Sequence, residues 1–131
     1  NYVFSNGDAH LKNFSLQQTP DKDYLLSPAY DLLCTKLHLP NEVHMALDLF
    51  KDEYFETPSF TVNGFHTSQC FLVLAEKFGM QLTRAQKTLD MFPQKKEDVL
   101  NLIERSFLTE PAKELYCKYY LDKLKALAIK S

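Results

Sequence analysis

A polar segment near the beginning of the chain combines side chains of four different chemistries. Within residues 6–15 a carboxylate, an imidazole, an amine and an amide are supplied by Asp8, His10, Lys12 and Asn13. A second carboxylate, Asp31, follows eighteen residues after the amide. One carboxylate of such a pair can accept the proton of an attacking hydroxyl, while an amide oxygen and the other carboxylate can hold Mg²⁺ against nucleotide phosphates. The combination is therefore suited to phosphoryl transfer.

The spacing within this segment supports the same interpretation. Protein kinases place the base Asp of their catalytic loop five residues before its Asn, and Asp8 and Asn13 have that spacing. The Asn-Gly-Asp sequence of residues 6–8 is also common turn chemistry, in which a polar side chain caps a neighbouring backbone group. Two short motifs in this order, with a hairpin predicted between them, favour the functional interpretation over a chance match.

A zinc hydrolase site is the alternative for the same residues. Asp8 and His10 could ligate Zn²⁺, and the shell could be completed by Asp31, His38 or His44. The histidines have no recognisable pair spacing, and such a site leaves the amine and the amide without a role. We therefore rank it below phosphoryl transfer and expect the later histidines, including His66, to be surface or structural residues.

The elements expected around the polar segment are short and irregular. Alternation over residues 14–16 predicts a strand, and the apolar residues 24–26 predict a second one. Because residues 19–21 are a Thr-Pro-Asp loop signal, the two strands should form a hairpin with a long connection. Alternation over residues 45–49 is compatible with a third strand.

From residue 66 onward the apolar period becomes helical and predicts four amphipathic helices. Their apolar residues lie within residues 71–78, 85–92, 99–107 and 112–127. Caps and breakers mark their ends, with Gly79 after the first, Thr83 and Pro93 around the second, and Thr109 with Pro111 before the last. Such helices must pack on one another to bury their apolar stripes. The expected fold is mainly α, with a small β-hairpin beside the polar segment.

The composition restricts the classes of function. The chain has 131 residues, enough for one domain with a hydrophobic core. Its 15 basic and 17 acidic residues give a formal net charge of −2, so it does not bind nucleic acid through a general excess of positive charge. Three distant cysteines without a CxxC pair favour a reducing, cytoplasmic setting. No apolar run is long enough to span a bilayer, and we expect no membrane association.

The two motifs together resemble a known family. Asp8-x-His10-x-Lys12-Asn13-Phe14-Ser15, followed by Pro28-x-Tyr30-Asp31, looks like the catalytic core of the HipA-like serine/threonine kinases, the toxins of bacterial toxin–antitoxin systems. The later segments are similar in order to the helical C-terminal lobe of that family, so the resemblance covers nearly the whole chain. It implies one kinase C-terminal lobe over residues 1–131, with the catalytic loop, the hairpin and an irregular segment in residues 1–65 and a helical bundle in residues 66–131.

The resemblance implies a role for each motif residue. Asp8 would be the catalytic base, and Asp31 would be the main Mg²⁺ ligand with Asn13 beside it. The ATP nucleotide would be lined by His10, Lys12, Asn13 and Tyr30. Two departures from ordinary protein kinases agree with the HipA-like pattern: no His-Arg precedes the base, and Leu-Leu follows Asp31 where Phe-Gly is usual.

The family's N-terminal lobe has no counterpart in this sequence. The catalytic loop starts within the first ten residues and no Gly-rich phosphate loop follows, so we expect a C-terminal part of a longer kinase that is inactive by itself. The complete protein would transfer the γ-phosphoryl group of ATP to a protein serine or threonine. The resemblance also implies a helix-turn-helix antitoxin as partner, with no direct contact to nucleic acid. The alternative is a non-catalytic helical module that binds an antitoxin or regulator.

Overall fold

The computed structural model describes residues 1–43, 45–50, 52 and 55–129. The chain is divided into two compact units, Asn1–Leu47 and Asp48–Ser131. The first contains both motifs and the second is helical. Among the described residues, no helix is both long and apolar enough to cross a membrane.

The first unit is built from 3₁₀ turns and one antiparallel hairpin. The 3₁₀ turns are Tyr2–Phe4, Leu11–Asn13 and Thr35–Leu37, and the strands are β1 (Leu16–Gln18) and β2 (Tyr24–Leu26). Leu16 lies opposite Leu26 in the hairpin, and the connection is closed by a hydrogen bond between the side chains of Thr19 and Asp23. The predicted hairpin is confirmed, although its first strand begins at residue 16 rather than 14.

The interior of the first unit is partly polar. Its buried apolar residues are Tyr2, Val3, Ala9 and Cys34, and Ser5 and Asn6 are buried among the polar ones. Both strands of the hairpin are exposed. The third strand predicted over residues 45–49 is wrong, because the described residues there form bends and unpaired backbone. Alternation favours a strand only where a neighbouring strand supplies the hydrogen bonds of a ladder.

Within the described residues, the second unit is a bundle of five helices. They are α1 (Pro58–Asn63), α2 (Ser68–Lys77), α3 (Leu82–Gln94), α4 (Lys96–Glu104) and α5 (Glu110–Ala128). The long helix α5 contacts α2, α3 and α4. Tyr120 in α5 is the largest fully buried side chain among the described residues. Other buried apolar residues of this unit are Cys70, Ala75, Ala85, Ile103, Ala126 and Leu127.

Two of the predicted helix ends are confirmed. Helix α2 is followed by Gly79 at φ 72°, and the amides of Gly79 and Met80 donate to the carbonyls of Glu76 and Ala75, each at 2.9 Å. This pair of bonds is a Schellman motif, which needs the left-handed backbone that glycine adopts without a steric penalty. Helix α5 has Thr109 as N-cap and a proline in its first turn.

Other helix boundaries differ from the prediction. Helix α3 begins at Leu82, one residue before the expected Thr83 cap, and includes Pro93 in its last turn. Helix α4 ends at Glu104, three residues before the end of the apolar period predicted for it at residue 107. Helix α1 was not predicted, although Thr57 caps it by accepting a hydrogen bond from the amide of Phe60 at 3.2 Å. A six-residue helix has too few turns for a periodic signal.

Candidate functional site

The two motifs meet directly at Asn13 and Asp31. The Nδ2 of Asn13 donates a hydrogen bond of 2.5 Å to Oδ2 of Asp31. Asn13 ends a 3₁₀ turn just before β1, and Asp31 follows β2, so the hairpin returns the chain to the same place. The other polar atom of the amide, Oδ1 of Asn13, is buried and has no hydrogen-bond partner among the described residues. An amide oxygen without a partner, on a side chain in contact with a carboxylate, is a donor pair suited to a hard cation.

Asp31 has an unusual backbone conformation. Its φ is 53°, in the left-handed region, which is uncommon for residues other than glycine and is tolerated best by Asn and Asp. The carbonyl of Asp31 accepts a hydrogen bond of 2.8 Å from Nδ2 of Asn6. Main chain and side chain of Asp31 are therefore each held by an amide from the first motif's segment.

Asp8 presents an exposed carboxylate. Its side chain is 66% exposed, and one carboxylate oxygen lies 4.0 Å from Nε2 of His10. The backbone below it is fixed, because the amide of Asp8 donates to Oδ1 of Asn6 at 3.1 Å and its carbonyl accepts from the amide of His10 at 2.8 Å. Nδ1 of His10 is buried and has no hydrogen-bond partner within the described part of the chain. The carboxylate is thus open to a reactant while its loop is held in place.

The side chain of Tyr30 is hydrogen-bonded to the main chain of Lys12. The hydroxyl of Tyr30 donates a hydrogen bond of 2.9 Å to the carbonyl of Lys12. The side chains of both residues lie at the surface. This bond ties the second motif to the 3₁₀ turn Leu11–Asn13, and it leaves the ammonium group of Lys12 available to an anionic ligand.

A polar strap crosses the beginning of the first motif. The strap consists of residues 35–43. The amide of Gly7 donates to Oγ1 of Thr35 at 2.9 Å, and Thr35 donates in turn to Oε2 of Glu42 at 2.5 Å. A Cβ atom built on Gly7 would lie only 2.6 Å from the carbonyl oxygen of Val43. The close approach therefore requires glycine at this position.

The zinc alternative receives no support from the described residues. Within residues 1–43, 45–50, 52 and 55–129, no group of three or more His, Cys, Asp and Glu side chains could hold a metal ion. His38 is exposed, and His44 lies outside the described residues. His66 belongs to the helical unit, where its ring lies 4.7 Å from the ring of Phe60.

One cysteine is buried in the same unit as the two motifs. Burial raises the pKa of the Cys34 thiol above its ordinary value, partly offset by a hydrogen bond from the backbone of Leu37. Since the thiolate is the reactive form, this thiol is a weak nucleophile. It is a packing residue of the first unit rather than a reactive one.

The sequence alone gave no indication of several residues that organise this site. Asn6 belongs to the Asn-Gly-Asp turn signal of residues 6–8, yet it is only 2% exposed and bonded to both motifs. Thr35 and Glu42 had no assigned role. The identity of a polar turn residue does not show whether it will be buried. Its role is recognised only from its hydrogen-bond partners in the folded chain, which lie 2 to 28 residues away in sequence.

These features define a class of domain: a helical unit together with a hairpin unit that brings an Asp/Asn loop against a second Asp. Comparison with known proteins identifies the family. Residues 1–105 match the model of the HipA-like C-terminal domain, and the chain belongs to this family. It is also 27% identical over 135 residues to a Haemophilus influenzae protein named "Putative kinase", in an alignment that covers 96% of this chain and 39% of that protein. The chain thus spans about two fifths of the length of this relative.

The family assignment confirms two of the predictions from sequence. The resemblance to HipA-like proteins is confirmed by the match over residues 1–105. The expected fold, mainly helical with a small antiparallel hairpin, agrees with the observed elements.

Proposed function

We propose that this chain carries the catalytic base and the Mg²⁺ ligands of a HipA-like protein kinase. The observation that supports this most directly is the contact between Asn13 and Asp31, with an oxygen of Asn13 buried and unbonded beside the carboxylate. The family match and the kinase name of the relative support the same class of reaction. The complete protein transfers the γ-phosphoryl group of ATP to a serine or threonine of another protein.

The donor set of this pair fits Mg²⁺. Magnesium prefers oxygen ligands, uses one or two protein carboxylates, and completes its shell with water and substrate phosphates. Asp31 provides the carboxylate and Asn13 the amide oxygen. When bound, the ion would neutralise the charge of the nucleotide phosphates. The contribution of the chain is to hold the Asn13 amide against the Asp31 carboxylate before the nucleotide arrives.

Asp8 is proposed as the general base. Its carboxylate is mostly exposed. This exposure fits the role, because a general base must reach the hydroxyl of the protein substrate. It lies five residues before Asn13, the separation used in protein kinases. The neighbouring His10 and Lys12 are proposed to contact the phosphates, and Tyr30, fixed on the carbonyl of Lys12, to lie beside the nucleotide.

Two parts of a kinase site are assigned to residues outside this sequence. Kinases cover the phosphates with a Gly-rich loop and pair them with a lysine on a strand, whereas the three glycines of this sequence, Gly7, Gly64 and Gly79, are far apart. We therefore propose that another lobe completes the site, on the same polypeptide or on a separate one. By itself the chain is expected to bind Mg·ATP weakly and to transfer phosphate negligibly.

The proposed setting follows the family. A toxin of this type acts in the cytoplasm and pairs with a small helix-turn-helix antitoxin, which would make any contact with DNA. The net charge of −2 agrees with a protein that does not itself hold nucleic acid by bulk charge.

Metal binding is the experiment that tests the proposal. Mn²⁺, a paramagnetic substitute for Mg²⁺, is titrated into the chain with ATP and followed by electron paramagnetic resonance. Asp31→Asn and Asn13→Ala should each weaken binding at least tenfold. The matched controls are Asp21→Asn and Asn41→Ala, which alter exposed residues of the same unit and should change the affinity less than twofold.

The second test concerns transfer. In a preparation that contains the completing lobe, Asp8→Asn should abolish phosphorylation of a protein substrate and leave Mn²⁺ binding within about twofold. Wild-type turnover in the Asp8 variant would refute its role as base. Equal Mn²⁺ affinity in the wild type and in both ligand variants would refute the metal site and favour the interaction module.

A further inference from the structure

A single buried amide connects the two proposed functional motifs. Asn6 is only 2% exposed, and its carboxamide makes three hydrogen bonds. Its Nδ2 donates to the carbonyl of Asp31 at 2.8 Å and to Oδ1 of Asn1 at 3.2 Å, while its Oδ1 accepts from the amide of Asp8 at 3.1 Å. Both donor hydrogens and the acceptor are thereby engaged.

We propose that Asn6 is a positioning residue for the kinase site: it holds Asp31 in its left-handed conformation and so directs the Asp31 carboxylate toward the cation. The inference rests on the proposed function, because it assigns Asn6 an effect on the metal that Asp31 and Asn13 bind. It adds a residue that itself contacts neither metal nor substrate.

The reason is the backbone of Asp31. A non-glycine residue at φ 53° is sterically strained. It keeps this backbone conformation only where contacts with the surrounding residues hold it there. The bond from Asn6 fixes the carbonyl of Asp31, and the bond from Asn13 fixes Oδ2 of the same residue. With main chain and side chain both held, the orientation of the second carboxylate oxygen is determined before any metal binds. Without the first bond, the peptide following Asp31 can rotate and carry the carboxylate away from Asn13.

The role requires an amide. Alanine has neither donor nor acceptor, and aspartate keeps an acceptor for the amide of Asp8 but cannot donate to the carbonyl of Asp31. Partners that orient a metal ligand typically change metal affinity by about 10–100-fold when removed. Asn6→Asp and Asn6→Ala are therefore expected to weaken Mn²⁺ binding by about tenfold, although both ligands remain.

The test uses the 131-residue chain and Mn²⁺ in the presence of ATP, followed by electron paramagnetic resonance. Asn1→Ala is the matched control, since it removes one hydrogen bond of Asn6 and spares the two that reach the motifs. It should change the affinity less than twofold. Urea titration of each variant separates positioning from stability: Asn6 variants that are less stable but bind Mn²⁺ as the wild type does would overturn the proposal.

A second measurement needs no substitution and stays decisive if the Asn6 variants do not fold. In the wild-type chain, the carboxamide hydrogens of Asn6 should exchange slowly by nuclear magnetic resonance, and Asp31 should show the strong intraresidue amide–Hα contact of a positive φ. Rapid exchange at Asn6, or a weak contact at Asp31, overturns the proposal.

The two proposals fail in different ways. If Asp31→Asn abolishes Mn²⁺ binding while folded Asn6 variants retain it, the metal site stands and the role of Asn6 is refuted. If Asp31→Asn leaves Mn²⁺ binding unchanged, the metal site itself is refuted, and the role of Asn6 with it.

Discussion

Substituting Gly7 with alanine tests how closely the strap is packed on the first motif. A Cβ atom at this position would lie 2.6 Å from the backbone oxygen of Val43 and 2.6 Å from Cγ of Glu42, whereas ordinary contacts begin near 3.4 Å. The side chain of Glu42 can rotate away, but the carbonyl of Val43 belongs to the backbone. We therefore expect Gly7→Ala to push the strap outward.

The expected loss of stability follows from the contacts that must move. Overpacking of this kind costs about 1–3 kcal/mol. Moving the strap also weakens the hydrogen bonds from Gly7 to Thr35 and from Thr35 to Glu42, at about 1 kcal/mol each. Replacing glycine also reduces the conformational entropy of the unfolded chain, which offsets the loss of stability by about 0.4–1 kcal/mol. A net loss of about 2–5 kcal/mol is expected for the first unit.

Amide hydrogen exchange measures this loss locally. The amide of Lys36 donates to the carbonyl of Ser5 and reports on the strap. A loss of 1.4 kcal/mol accelerates its exchange by about tenfold. The control is Gly64→Ala, a glycine at φ 71° with no atom within 4 Å of a new Cβ. It should strain the end of α1 and leave the Lys36 amide unchanged. Exchange at Lys36 within twofold of the wild type in Gly7→Ala would refute the reasoning.

Three further predictions concern packing and the thiols. Tyr120→Ala should lower the free energy of unfolding of the helical unit by about 3–5 kcal/mol in urea, because it empties a buried site. In the folded chain, iodoacetamide should modify the partly exposed Cys117 before the buried Cys34, and peptide mass spectrometry would show the order. Because burial raises the pKa of Cys34 above 9.0, the unfolded state loses its thiol proton first as the pH rises. The stabilisation that the buried thiol provides should therefore be fully present below pH 9 and decline above it, and this decline should be smaller in Cys34→Ala.

The sequence predicted correctly those features that depend on residues close together in the chain. The Schellman end at Gly79 and the start of α5 at Thr109 depend on residues within one turn, so their identities suffice to predict them. The hairpin was found for the same reason, since a loop signal separates two short apolar runs. The failures occurred where the signal was short or lacked a partner, as in the six-residue helix α1 and the strand expected over residues 45–49.

The candidate site shows the same difference between features set by local sequence and features set by distant contacts. The types and order of Asp8, Asn13 and Asp31 were enough to suggest phosphoryl transfer and a family, because catalytic groups are recognised by their chemistry and spacing. That Asn13 and Asp31 touch follows from the hairpin between them, and the sequence made this an expectation.

The burial of Asn6, the left-handed backbone of Asp31 and the strap over Gly7 were decided only by the tertiary structure. Each depends on a hydrogen bond or a close contact between residues 25 to 36 positions apart. A turn residue has many possible partners at that separation, and its own identity does not select one. The sequence by itself therefore determined which groups could do the chemistry, while the folded chain determined how those groups are held.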